Sequence, residues 1–294
     1  MANLKEIRGR IKTVKNTAKI TSAMKMVSAA KLRRAQNAIE SARPYVIKLN
    51  EVLGNLIGGL GENYSNPLTE QRETVNNAVF IVIGSDRGLC GSFNSALFKE
   101  TYKYITEDYK KANPNVKIQI ITVGKKATSF FSKSNLEVIA KYPDIFANLQ
   151  FSTAQSIIDD VQAKYESGEI DRVFVYNNSF INIIKQVPTL NQILPIQANV
   201  DTESKQKTDY IYEPDTATIL DELLPKLLNI SAWRYLLESN AAEQASRMMA
   251  MDNATNNAKE LVDKLNIIYN RERQAAITTE MLEIVGGANA LENA

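Results

Sequence analysis

The residues best suited to chemistry fall in one run, Gly84-Ser85-Asp86-Arg87-Gly88-Leu89-Cys90-Gly91-Ser92-Phe93-Asn94, between an apolar strand and a helical stretch. A glycine-rich turn that enters a helix is where backbone N–H groups can cradle a phosphate. The spacing matches neither the dinucleotide-binding fingerprint nor the P-loop, and no lysine with a paired hydroxyl follows the last glycine. A tight structural turn, or a loop presented to another protein, is preferred to a nucleotide site. Asp86 and Arg87 could be an acid and its orienting partner, but a local ion pair shaping the turn is the simpler expectation. Cys90 is the only cysteine and there is no histidine, so histidine-activated nucleophiles and Cys/His zinc sites lack their parts. Cys90 is expected as a small buried side chain in a reducing compartment. Met24-Lys25-Met26 and Arg247-Met248-Met249-Ala250-Met251 could supply soft thioether ligands or an adaptable surface, with core filling as the default. No catalytic residue, metal site or cofactor is expected.

The elements that must position these residues are unusual in length. From Leu4 to about Ile57 a stripe at three- and four-residue spacing runs through Ile7, Ile11, Val14, Ala18, Leu32, Ala35, Ile39, Ala42, Val46, Leu49, Leu53 and Leu56. It turns polar at Thr21, Lys25 and Ser28. A stripe kept in register so long signals a coiled coil. Asn3 and Glu6 suit a capping box, Pro44 predicts a kink, and Gly58, Gly59 and Gly61 predict the end of the helix. The helix would be on the order of 80 Å long, more than a compact domain of this size can hide. A second such stripe follows Glu213-Pro214. Asp215 can cap a short helix to Leu224, Pro225 marks a break or a new start, and a helix of roughly 95 Å then runs to about Ala290.

Between these ends, residues 75–210 read as alternating strands and helices. Strands are expected at 78–84, 116–123 and 172–177, with a possible fourth at 180–187, and helices near 95–113 and 152–167. The fold class is therefore α+β or α/β: a long antiparallel N- and C-terminal helical coiled coil plus a small Rossmann-like α/β domain. Its parts are an N-terminal coiled-coil helix over 1–58, a globular foot over 75–210, and a C-terminal helix over 215–290 that pairs with 1–58.

Charge supports the pairing. The net charge of +2 gives no global bias toward nucleic acid or membrane, yet the first helix is strongly basic and the last has an acidic excess. Opposite charge across a seam selects the partner, while exposed ion pairs contribute only roughly 0–1 kcal/mol each, so the buried stripe must set register. Laid antiparallel, residue 57 lies near 217 and residue 4 near 270. Residues 271–290 then overhang, although Ile277, Met281, Leu282, Ile284, Val285 and Ala288 are apolar. A helix apolar on most sides is buried in something, here another protein. Nucleic-acid binding by the basic helix is the weaker reading because interleaved aromatics are missing. A coiled-coil adaptor or nucleic-acid clamp, and a small nucleotide-binding enzyme, are the alternatives.

The sequence from Lys15 to Ala35 (KNTAKITSAMKMVSAAKLRRA) closely resembles the N-terminal helix of the gamma subunit of F-type ATP synthase. Ser85–Gly91 resembles that family's loop after its first strand. Ala245–Met248, Tyr269–Thr278 and the signature Ile277, Thr278, Glu280, Glu283, Gly287, Ala288 resemble its C-terminal helix. The layout spans the chain, with residues 100–205 matching only in pattern. The resemblance implies the central-stalk rotor of a proton-translocating complex, non-catalytic and present in single copy. Its partners would be the hexameric ring of alpha and beta subunits, the epsilon subunit and the c-ring, with no nucleic acid and no cofactor. By position, Arg247, Arg273, Gln274, Thr278 and Glu280 resemble contacts to beta loops, and Met24 and Lys25 the positions near beta's acidic lever loop. Tyr210, Tyr212 and Glu213 resemble the foot segment near the c-ring and epsilon, although the two tyrosines could equally pack under the foot. With no transit peptide expected, the resemblance implies the cytoplasmic face of a bacterial inner membrane, peripherally bound.

Overall fold

In the computed structural model, residues 4–60, 66–196 and 213–292 are described. The first apolar stripe forms helix α1, Leu4–Leu60, and the last forms α6, Thr216–Glu292. Neither proline interrupts its helix. Pro44 is exposed, and the carbonyl it leaves without a donor belongs to Glu40 one turn earlier, within reach of water. Pro225 likewise lies inside α6, one turn after the exposed Asp221, so the expected break at 225 is absent. Helix α1 ends at Leu60, within the stretch from Gly58 to Gly61 expected to stop it. Asp215 does cap α6: its carboxylate accepts from the Thr218 backbone N–H at 2.9 Å and from the Thr218 hydroxyl at 2.7 Å. These bonds hold the Asp215 carboxyl below its ordinary value.

The chain divides into two compact units. The first joins α1 up to Ser28 with α6 from Met248 onward, as an antiparallel pair. Ile7, Ser28, Met251, Ala258 and Val262 are buried in it. Arg8 donates to the Tyr269 hydroxyl and its guanidinium lies over the Tyr269 ring. The expected register opposed residue 8 to residue 266, so the pairing is displaced by about one helical turn. At the polar stretch, the Thr21 and Thr255 hydroxyls meet at 2.7 Å and the Lys25 ammonium reaches Asp252 at 2.7 Å. Thr21 can also donate to the Thr17 carbonyl and Thr255 to the Met251 carbonyl, so neither buried hydroxyl depends on water. The basic face of α1 is otherwise turned outward: Lys15, Lys19, Arg33 and Arg34 are exposed and form no ion pair among the described residues. Charge therefore contributes less to the zipper than the sequence suggests, because most of these residues project away from the seam.

The second unit, Ala29–Arg247, contains a five-stranded sheet in the order β3-β2-β1-β4-β5. The strands are β1 Asn77–Ile83, β2 Lys117–Val123, β3 Glu137–Tyr142, β4 Arg172–Phe180 and β5 Gln186–Leu194. The first four are parallel and β5 is antiparallel to β4. The strand placed at 180–187 is thus mislocated, since β4 itself extends to Phe180 and β5 begins only at Gln186. Pro188 is tolerated because β5 is an edge strand. Helix α2, Phe93–Lys103, continues through a π-helical turn, Tyr104–Tyr109, into α3, Lys110–Ala112. Helices α4, Lys125–Phe131, and α5, Phe151–Glu166, complete the unit.

Alternation along β1 splits the core in two. Ala78, Phe80 and Val82 face α2 and α4, packing with Leu97, Phe98, Ile105 and Phe131. Val79, Ile81 and Ile83 face the other way, into a cluster that holds Ile157, Ile158 and Tyr165 of α5. The same cluster takes Leu49, Leu53 and Leu56 of α1 with Leu220, Leu224 and Leu228 of α6. Both long helices are rooted on one sheet face. Asp171, just before β4, locks the edge of this core. Burial opposes its charge, but the Arg72 guanidinium at 2.8 Å and the Asn76 and Asn77 N–H groups outweigh it and hold the carboxyl below its ordinary value.

Replacing Thr255 with Val should cost about 1 kcal/mol, because Thr21 loses its cross-helix partner. The double change Thr21→Val/Thr255→Val should recover most of that loss. Urea unfolding of the full chain checks this; strictly additive costs would show that the two hydroxyls are not coupled.

Candidate partner-binding surfaces

In the loop after β1, a carboxylate of the chain itself gathers backbone donors from neighbouring loops. Asp86 sits there, and its Oδ1 accepts from the backbone N–H groups of Lys125 (3.0 Å) and Asp144 (2.8 Å) while Oδ2 accepts from Phe146 (3.0 Å). Asp86 therefore ties together the loops beyond β1, β2 and β3 instead of pairing with Arg87. Gly124 lets this happen: it has φ +91°, and a Cβ there would stand 2.7 Å from the Gly84 carbonyl oxygen. Ser85, Cys90 and Asn94 stitch the rest of the loop. The Asn94 carbonyl oxygen accepts from the Ser85 N–H at 3.0 Å, and its amide donates to the Ser85 hydroxyl at 2.7 Å. Cys90 is buried as expected, and burial pushes its thiol above the ordinary value with Arg247 partly opposing.

Arg247, expected to reach a partner, is instead turned inward. It is 9% exposed; its guanidinium donates to the carbonyls of Arg87 (3.1 Å) and Gly88 (3.2 Å) and pairs with Glu243 at 2.7 Å. Glu243 is also buried, and its other oxygen has no hydrogen-bond partner among the described residues. Burial raises the Glu243 pKa, with Arg247 opposing. The result is an internal strut from α6 to the loop, which thrusts Leu89 outward at φ 63° and 67% exposure.

In the first unit, the other expected residues separate into two kinds. Arg273, Gln274, Thr278 and Glu280 are exposed on α6, and Arg273 and Glu280 form no ion pair among the described residues. The Thr278 hydroxyl donates to the Gln274 carbonyl at 3.0 Å, a bond within its own helix. Around them Ile277, Met281, Leu282, Ile284 and Val285 are exposed as well. Met24 and Lys25, by contrast, are half-buried, and Lys25 is engaged with Asp252 in the seam. The outward residues beside them are Ile20, Met26 and Val27, which the reading of the sequence did not select. A signal was available: Ile20, Met24 and Val27 are spaced four and three apart, a second apolar stripe beside the polar seam. Ile267 and Ile268 were missed for the same reason and are also exposed. Glu213 is exposed in the turn before α6, whereas Tyr210 and Tyr212 lie outside the described residues. Among the described residues, no helix is long and apolar enough to cross a membrane.

A family model described as ATP synthase matches residues 3–291. The chain is 49% identical over 302 residues to the ATP synthase gamma chain of Chloroherpeton thalassium, covering 99% of each. It is 48% identical over 293 residues to that of Chlorobium limicola, covering 100% of each. The chain belongs to the gamma-subunit family of F-type ATP synthase. Among solved structures, a chain of the central stalk and c-ring of Tetrahymena thermophila mitochondrial ATP synthase is 27% identical. It gives a TM-score of 0.57, covering 80% of this chain and 99% of that one. A chain from the Euglena gracilis mitochondrial enzyme, 19% identical with a TM-score of 0.66, covers 98% of this chain and 94% of that one and shares its fold. Membership in the gamma-subunit family makes this chain one subunit of a membrane-associated complex.

Arg247→Ala should destabilise the full chain by about 3 kcal/mol near neutral pH, because it strands a buried carboxylate. Glu243 has a raised folded pKa, so its charge, and the penalty with it, is present at high pH and lost as the pH falls through that value. The loss should shrink as the pH is lowered from neutral. Urea titrations across that range measure it; a pH-independent loss would contradict the strut.

Proposed function

We propose that the chain is the central-stalk rotor subunit of a proton-translocating F-type ATP synthase and that it performs no chemistry of its own. The observation that carries the reading is the run of exposed apolar residues near the end of α6, Ile277 to Val285. Water does not tolerate such a contiguous face at low cost, so it suits a tight sleeve supplied by other subunits. Family membership and the central-stalk and c-ring context of the 27%-identical solved relative support the same conclusion. The sleeve would be the hexameric ring of alpha and beta subunits. Residues 1–58 and 215–290 would act as the shaft, and 75–210 as the foot on the c-ring beside the epsilon subunit. The complex would lie on the cytoplasmic face of the membrane.

Rotation then works through differential contact. Arg273, Gln274, Thr278 and Glu280 lie on an asymmetric surface, so each beta subunit meets a different set of groups at any moment. A tenfold difference in nucleotide affinity between sites needs only about 1.4 kcal/mol of unequal contact. One or two charge-assisted hydrogen bonds from the Arg273 guanidinium are sufficient. Lys25 is held by Asp252, and its role is to present the neighbouring Ile20, Met26 and Val27 in a fixed orientation. Arg247 acts indirectly, by holding the Arg87–Gly91 loop where a partner can touch it.

In the assembled complex, Arg273→Ala combined with Thr278→Val should lower ATPase turnover by about tenfold, the scale of one lost charge-assisted contact. Subunit stoichiometry must be unchanged in the same preparation. Normal turnover in a verified double variant would remove these residues from the coupling surface.

A further inference from the structure

On the sheet face opposite the roots of α1 and α6, a trough of about 890 Å³ runs between α2 and α4. Its size falls within the usual range for small-ligand sites, about 300–1,000 Å³. The floor is aromatic. Phe98 and Phe130 stand 5.2 Å apart with a 31° tilt, and the Phe130 ring is 41% exposed. Tyr102 closes one end. The walls carry Lys99, Lys126 and Lys133, and no acidic residue lines the trough.

None of these three ammonium groups has an ion-pair or hydrogen-bond partner among the described residues. Elsewhere in the unit some lysines are matched, Lys117 with Glu137, Lys125 with Asp144 and Lys164 with Asp160, and others such as Lys141 are not. Three cations without an acidic neighbour beside an apolar floor present positive charge that attracts a ligand carrying negative charge. The exposed ring beside them offers a stacking face for a planar group. Asn94 and Lys126 come soon after β1 and β2, whereas Lys133, Ser134 and Asn135 precede β3, so the trough follows α2 and α4 along the sheet face.

We propose that this trough binds a soluble organic anion with a flat aromatic ring and two or more negative charges, the ring lying on Phe130 and the charges on the three lysines. A trough of this volume suits a small ligand, with Lys99 from α2, Lys126 from α4 and Lys133 just after α4 lining it beside the aromatic residues. The inference stands independently of how the α6 tail engages its partners.

Calorimetric titration of the full chain with ATP, pyrophosphate and adenosine at low ionic strength tests it. ATP should bind saturably, weaken as salt is added, and bind about tenfold more tightly than either the charge or the ring alone. The combined change Lys99→Glu, Lys126→Glu and Lys133→Glu should abolish ATP binding, and Phe130→Ala should weaken it about tenfold. Lys141→Glu, an exposed lysine on β3 outside the trough, should leave it unchanged, with thermal melts confirming that each variant is folded. The proposal is overturned if ATP does not bind, if it binds no better than pyrophosphate, or if the triple variant binds like the parent. Displacement of ATP by a short acidic peptide of equal or higher affinity would also overturn it, in favour of a protein partner.

Discussion

The structure depends on the seating of two helices against one sheet face. Leu49, Leu53 and Leu56 from α1 share an apolar cluster with Leu220, Leu224 and Leu228 from α6, above Val79, Ile81 and Ile83. A fully buried aliphatic side chain of this kind contributes about 1.5–3 kcal/mol. No propensity or charge effect in either helix approaches that total. In proteins most helix stability comes from packing an amphipathic face and not from helix propensity. The sheet supplies what the helices lack, which is a rigid apolar surface too large to yield locally. The strand alternation that sends Phe80 and Val82 to the opposite face leaves this one free for them.

A second constraint sits at the carboxyl ends of the strands. There Asp86 collects N–H donors from two other loops, and Arg247 caps two carbonyls of the first loop from α6. A buried carboxylate and guanidinium are seldom the most stabilising choice available. Their use here fits a loop whose position matters more than its stability. Any displacement of α6 at Arg247 is transmitted to Arg87 and Gly88 through bonds near 3 Å, without passing through the sheet.

Much of the fold was legible because the long helices and central strands write strong periodic patterns. β1, β2 and β4 announce themselves through runs of Val, Ile and Phe. β3 did not, since EVIAKY is half-buried and carries charge at both ends of its pattern, and α4 is too short for any period to emerge. The candidate surface was legible where exposure contradicts hydrophobicity, as at Ile277 to Val285. It was not legible at Arg247, since sequence gives residue type but not direction. One turn before it, Glu243 was the available sign that the charge is spent internally. The displaced register at Arg8 and Tyr269 has a similar origin: heptad spacing fixes which stripe is buried, not which turn faces which.

The meeting of Thr21 with Thr255, beside Lys25 and Asp252, limits slippage. Leucine on leucine would tolerate a shift of one turn with little change in contact. Hydroxyls and charges do not: moving either helix by that distance breaks the Thr21–Thr255 contact and parts the Lys25 ammonium from Asp252. This polar step works as a detent within an otherwise greasy zipper, and a twisting load applied to one strand of the pair is passed to the other instead of being lost to creep.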